Sequence, residues 1–219
     1  DREVQNLESL YEYGISGIPK IYYNGFHKDW KVLIYEYFKG ASLEKIPNLT
    51  QSDYKKISNQ IISSIKEYRT IKSETAQLFE KSYTDWYDLF SNKLSEHLDH
   101  PISQQLISRT HINQIRNLLK LVQSDLRQIQ NCFIHYDIKP KNIVYDGEGG
   151  LTYLIDFELS RFGDPLMELA RIKSFAPTME YEQMLVDPIL EAFEYEKCQI
   201  GKNTFTLYLL YCYIVYHKH

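Results

Sequence analysis

Cysteine is scarce in this chain: Cys132, Cys198 and Cys212 are the three in 219 residues, and they lack metal-site spacing. A disulfide framework is excluded on number and scatter, and each thiol is expected to serve as a small buried hydrophobe. A basic excess is missing too. The formal net charge of -4 argues against nucleic acid as a partner, because phosphate backbones select for Lys and Arg. No apolar run is long enough for a bilayer: Leu207 to Tyr216 falls well short of the ~20 residues that a span needs. No secretory leader opens the chain, none of the seven His residues forms an i,i+4 metal pair, and no internal repeat is present. The expectation is a cytoplasmic protein with neither a membrane nor a nucleic acid as partner. Its oligomeric state is left open.

Hydrophobic residues at 43% and charged residues at 25% describe an ordinary globular protein, long enough for one large domain or two small lobes. Residues 2 to 13 carry Val4, Leu7 and Leu10 at helical spacing and stop near Gly14. Ile21 to Tyr23 and Val32 to Tyr37 read as a strand pair separated by Asn24-Gly25, and Lys39 to Ser42 as a connector. Thr50 and Asp53 make a capping-box start for a helix whose stripe is Tyr54, Ile57, Ile61, Ile62, Ile65 and Tyr68. Further helices are predicted over 84 to 98, 111 to 129, Asp164-Pro165 to Ser174, 178 to 195 and 204 to 216. Between them, Ile143 to Tyr145 and Tyr153 to Ile155 are strands joined by the turn Asp146 to Gly150. The fold class is α+β, with a small sheet-bearing part over 1–40 and a mainly helical part over 41–219.

The run His135-Tyr136-Asp137-Ile138-Lys139-Pro140-Lys141-Asn142 follows the apolar lead-in Cys132-Phe133-Ile134, and Asp156 comes fourteen residues after Asn142. Taken singly, Asp137 is a turn or cap residue, Asn142 an amide at a strand start and Asp156 an acid at a strand end, all commonplace. Taken together, with a hairpin that folds Asn142 and Asp156 toward each other, they suit phosphoryl transfer. That chemistry needs cations clamped on phosphates and an attacking oxygen held in line. Asp137 is placed to orient a hydroxyl, while Asn142 and Asp156 offer hard oxygens for magnesium.

HYDIKPKNIV (135–144), LIDFE (154–158) and GDPLMELARI (163–172) resemble the aminoglycoside phosphotransferase and choline kinase family, which has the two-lobed protein-kinase-like fold. VLIYEYFKGASL (32–43) resembles its last N-lobe strand and hinge. REVQNLESL (2–10) resembles the helix whose acid pairs with a nucleotide-binding lysine. The resemblance implies Asp137 as catalytic base, Asn142 and Asp156 as magnesium ligands, and Lys139 at a position that touches the transferred phosphate, or else as a solvated loop lysine. It implies Glu3 as the pairing acid. It also implies that the Glu36 carbonyl and Phe38 amide meet the adenine edge, with Tyr35 behind and Val144 and Ile155 as floor. His135 is implied to organise the loop, and Asp164 to cap a helix and brace the catalytic loop. Glu158 stands where protein kinases carry Gly, and its role is open.

The resemblance further implies transfer of the γ-phosphate of ATP or GTP, with magnesium, to a hydroxyl of a small and in much of the family amine-bearing substrate. Only seven residues lie between Asp156 and Asp164, and Tyr136 replaces the Arg of protein kinases. Both features favour a small-molecule kinase. The acids Glu180, Glu182, Asp187, Glu191, Glu194 and Glu196 form either a solvated face or a steering surface for an amine. A Gly-rich phosphate loop and a lysine partner for Glu3 have no counterpart in this sequence and belong ahead of Asp1. The chain is therefore expected to be truncated at its start. The alternative is an inactive pseudokinase serving as nucleotide sensor or scaffold.

Overall fold

The structure is a computed structural model that describes residues 2–74, 76–78, 81–147, 149–193 and 199–216. Cys198, Glu148, Glu194 and Glu196 lie outside the described residues. The chain opens with α1 (Arg2–Glu12), which buries Val4, Leu7 and Leu10. Gly14 follows with φ +71, the left-handed conformation that closes helices.

Antiparallel strands β1 (Ile21–His27) and β2 (Trp30–Tyr35) come next. The turn sits at Lys28-Asp29 rather than at Asn24-Gly25, which pair within the ladder with Leu33 and Val32. One backbone conformation and one contact explain the difference. Lys28 takes the positive φ of +53 that the turn needs, and the Tyr23 ring folds over Gly25, where a Cβ would stand 2.7 Å from its hydroxyl. Gly25 thus serves a close approach and not a turn.

The connector contains a two-residue strand, β3 (Ala41–Ser42), and leads to α2 (Gln51–Tyr68). The predicted capping box is present: the Thr50 Oγ1 accepts from the Asp53 amide at 3.2 Å, and the Thr50 amide donates to Asp53 Oδ2 at 3.0 Å. Ile57, Ile61, Ile65 and Tyr68 are buried as the stripe requires. Strand β4 (Lys72–Ser73) and the pair β5 (Ala76–Leu78) and β6 (Lys81–Tyr83) precede α3 (Trp86–Asp99) and α4 (Pro101–Leu106). The predicted helix over 111 to 129 is two, α5 (Arg109–Leu121) and α6 (Gln123–Arg127), broken at Val122. Val122 and Leu126 are both buried, so the break serves the core and not a surface loop.

Four strands frame the motif: β7 (Asn131–Ile134), β8 (Ile143–Tyr145), β9 (Thr152–Leu154) and β10 (Arg161–Gly163). They build two antiparallel sheets, ordered β10-β7-β4 and β3-β8-β9. The chain then runs through α7 (Pro165–Ser174), with Asp164 as N-cap, then α8 (Met179–Tyr181), a π-type turn over Glu182–Val186, α9 (Asp187–Ala192) and α10 (Gln199–Tyr216). Tyr208 of α10 accepts from the Trp86 indole at 2.6 Å and donates to Asp164 at 2.6 Å, so α3, α7 and α10 share one buried polar chain. Cys132 and Cys212 are buried free thiols. Among the described residues no helix is long and apolar enough to cross a membrane.

Candidate active site

Strand β7 is buried at all four positions and delivers the chain into His135-Tyr136-Asp137. Tyr136 has φ +66, a conformation that costs a non-glycine residue about 1 kcal/mol or more. Several contacts hold it there. Two guanidinium groups lie over its ring, Arg161 at 3.8 Å and Arg171 at 4.0 Å from the centroid, and its carbonyl accepts from Arg171 Nε. Glu168, fully buried on α7, accepts from the backbone amides of His135 at 2.7 Å and Tyr136 at 3.4 Å, from the Tyr68 hydroxyl at 2.8 Å and from Arg69 at 3.0 Å. Bracing of this loop therefore falls to Glu168. Asp164 caps α7 through the Leu166 amide at 2.8 Å and spends its other oxygen on Tyr208.

His135 is buried, and it organises the loop as the resemblance implied. Its Nδ1 accepts from the Asp137 amide at 3.3 Å, and its Nε2 faces the Ile155 carbonyl at 3.1 Å. The neutral tautomer with a proton on Nε2 satisfies both contacts. Burial pushes the imidazole below its ordinary 6.5, against opposing pulls from Glu168 and Asp137.

Asp137 is buried at 2% exposure, and each carboxylate oxygen has a cation beside it. Arg171 donates to Oδ1 at 3.1 Å, Lys139 stands 2.7 Å from Oδ2, and the Asn142 amide nitrogen donates to Oδ2 at 2.8 Å. With that nitrogen also donating to the Asp137 carbonyl at 3.0 Å, the Asn142 Oδ1 remains as the amide's acceptor. Strands β8 and β9 pair Ile143 with Leu154, and the Ile155 amide donates to the Asn142 carbonyl at 3.1 Å. Asn142 and Asp156 thus stand at one open end of the hairpin. Asp156, with φ +67, is in a second left-handed conformation.

Helix α1 closes this end. Asn6 donates to the carbonyls of Phe157 at 2.7 Å and Ser160 at 3.3 Å. Glu3 lies beside Asp156, and burial followed by the Asp156 charge pushes its carboxyl above the ordinary value, with a smaller push from Glu158 and an opposing backbone hydrogen bond from Phe157. Among the described residues no three His, Cys, Asp or Glu could hold a metal by themselves. Magnesium needs fewer: one or two protein oxygens suffice when phosphates complete the shell. The acids at this end and the amide oxygen of Asn142, which its own hydrogen bonds through nitrogen leave as an acceptor, fit such an ion.

On the hinge side, Glu36 is anchored by its amide to the Lys20 carbonyl at 2.7 Å. Tyr35 is half-exposed, and its phenol is pushed up by burial and then by the charges of Glu3 and Asp156. Phe38 stacks on Tyr153 with centroids 3.9 Å apart. Tyr153 is the cross-strand partner of Val144 and shares the face of Ile155 two residues on. The motif-based reading did not single out Tyr153, Glu168 in its bracing role, or Arg171. For the α7 pair a signal existed: Glu168 and Arg171 are charged residues three apart in a helix otherwise buried through Met167, Leu169, Ala170 and Ile172.

The sequence model of the phosphotransferase enzyme family known as APH matches residues 1–199. The chain belongs to that family. No curated protein is similar enough in sequence to match, but solved structures share the APH fold. An aminoglycoside phosphotransferase, a thermostable mutant of APH(4)-Ia in ternary complex with AMP-PNP and hygromycin B, matches at 16% identity over 98% of this chain and 74% of that chain, with a TM-score of 0.67. Plasmodium vivax ethanolamine kinase matches at 16% identity over 99% of this chain and 66% of that chain, with a TM-score of 0.57. The ADP-bound aminoglycoside phosphotransferase APH(2'')-Ib matches at 16% identity over 97% and 82%, with a TM-score of 0.58. At such identities the likeness speaks to the fold: a kinase-like phosphotransferase scaffold with an incomplete N-lobe and small sheets beside a mainly helical body.

Proposed function

We propose that this APH-family chain transfers the γ-phosphate of ATP or GTP to a hydroxyl of a small molecule, with Asp137 as base, Lys139 beside the transferred phosphate, and Asn142 and Asp156 as magnesium ligands. The observation that supports the reading is a buried carboxylate with a lysine 2.7 Å from it and a hydrogen bond from Asn142, the residue that opens the hairpin leading to Asp156. Asp137 takes the proton of the acceptor hydroxyl as that oxygen bonds to the γ-phosphorus, and the nucleoside diphosphate leaves with the electron pair of the broken bond. Magnesium, when bound, would neutralise phosphate charge. Glu3 belongs at the phosphate end of the nucleotide site. The Glu36 carbonyl and Phe38 amide belong at its base edge, and Tyr35, Val144 and Ile155 along its apolar lining. A part over 1–40 supplying the hinge side and a part over 41–219 supplying the rest suit this division of labour.

The solved relatives with AMP-PNP, ADP and hygromycin B support nucleotide donors and small acceptors for the fold. A nucleotide-sensing pseudokinase draws on the missing glycine loop and lysine partner, and the presence of Asp137, Asn142 and Asp156 weighs against it. Asp137→Asn keeps the side chain's shape and tests the reading. Across a panel of hygromycin B, ethanolamine, choline and sugars, nucleotide consumption seen with the wild type should fall by about 10²-fold or more, while nucleotide affinity stays within about twofold. Turnover equal to wild type would remove Asp137 from the role of base.

A further inference from the structure

A cavity of about 560 Å³ lies beside the transfer loop, between the turn over 43–45 and the segment from Phe175 to Tyr181. Lys139 belongs to both places. Its ammonium is 2.7 Å from Asp137 and 5.3 Å from the Phe175 ring centroid, so one lining residue of the cavity is the direct ion-pair partner of the carboxylate proposed as base. Its volume suits a ligand of drug-like size.

The walls are chiefly aromatic and aliphatic. Tyr54 and Tyr181 meet edge to face at 6.3 Å, and Phe175 and Leu49 add apolar surface. The charges nearly balance. Lys139 is paired with Asp137, which leaves Lys141, Glu44 and Glu180 as the other charged residues of the lining. The acidic run after residue 180 does not extend this into a polyanionic wall, because Glu182 and Asp187 pair with Lys173 at 2.6 and 3.8 Å. Among the described residues of that run, Glu180 is the one that lines the cavity. A multiply charged ligand would lose hydration here against a single excess negative charge. An aromatic or branched body, by contrast, gains contact with the rings.

We propose that the acceptor is an amphipathic alcohol with an aromatic or branched aliphatic body and one cationic nitrogen, held by the ring wall at its body and by Glu44 and Glu180 at its charge. The inference rests on the phosphotransfer reading of Asp137, and the test separates the two. Using the full chain with magnesium and nucleotide, 2-amino-1-phenylethanol, choline, glucose and hygromycin B are compared by calorimetry and by nucleotide consumption. The aryl amino alcohol should bind about tenfold or more tighter than the other three. Glu180→Lys, at an exposed position, should weaken it about tenfold, and Tyr54→Leu about threefold to tenfold. Tighter binding of hygromycin B or choline, no binding of the aryl amino alcohol at millimolar concentration, or affinities within twofold of wild type in both variants would overturn the inference. Binding of the aryl compound with the expected variant effects but no consumption would uphold the cavity assignment and overturn phosphotransfer. Consumption driven by hygromycin B alone would do the reverse.

Discussion

Arg171 contributes a guanidinium of which the side chain is 1% exposed, against a carboxylate at 3%. Removing one member of a buried pair costs about 3–5 kcal/mol when it strands the other, and because Asp137 keeps Lys139 at 2.7 Å the low end of that range applies. Arg171→Met is therefore expected to lower unfolding stability by that order in urea titration. Arg171→Lys retains the charge but has no fork to reach both the Tyr136 carbonyl and Asp137, so it should recover part of the stability and little of the turnover. Turnover equal to wild type in the lysine variant would show that charge alone suffices. His135 makes a second residue-scale prediction. Its folded pKa lies below the ordinary 6.5 because of burial, so the unfolded chain binds the extra proton between those two values. Its contribution is whole above about pH 6.5 and is lost as pH falls toward the folded pKa, with a slope of at most about 1.4 kcal/mol per pH unit. His135→Gln, which keeps a donor and an acceptor, should flatten stability below pH 6.5, and an unchanged slope would contradict the assignment.

Helix α2 grips the hairpin that carries Asn142 and Asp156. Gln60 accepts from the Thr152 amide at 2.7 Å and donates to the Gly150 carbonyl, and Asp53 accepts from the Tyr145 hydroxyl at 2.8 Å. Gln60→Leu leaves two backbone groups without that partner, so it is expected to cost about 1–3 kcal/mol. Amide exchange should quicken in β8 and β9 while α7 and α10 stay protected, and uniform loss of protection would argue against a local clamp. Elements of this kind differ in how plainly the sequence announces them. Asp164-Pro165 marked the start of α7, and Thr50 with Asp53 the start of α2, because caps are local chemistry. Asn24-Gly25 misled for the same reason: the turn signal is strong, but packing of Tyr23 over Gly25 outweighs it. Strands β3 and β4 have two residues each, too few for any period to show. The loop-and-hairpin centre was legible from spacing, whereas Glu168 and Arg171 reach it only through tertiary packing of α7.

At the scale of the molecule, the acids Glu3, Asp156 and Glu158 gather where α1 meets the segment after β9, so part of the fold's stability is given up to like-charge repulsion. Binding of magnesium and nucleotide at this end would relieve it, and a ligand that binds only the folded chain stabilises by mass action. At a concentration about 100 times Kd the gain is about 2.7 kcal/mol. For a chain of this size that corresponds to a rise of roughly 5–10 °C in Tm. Asp156→Asn separates function from stability by sign. Asparagine tolerates the left-handed backbone found at this position, and it removes one of the repelling charges. The variant should match or exceed the wild-type Tm without ligand, yet lose most of the rise produced by magnesium and nucleotide together. A full rise in the variant would mean that Asp156 does not hold the metal, and a lower ligand-free Tm would mean that its charge is structural.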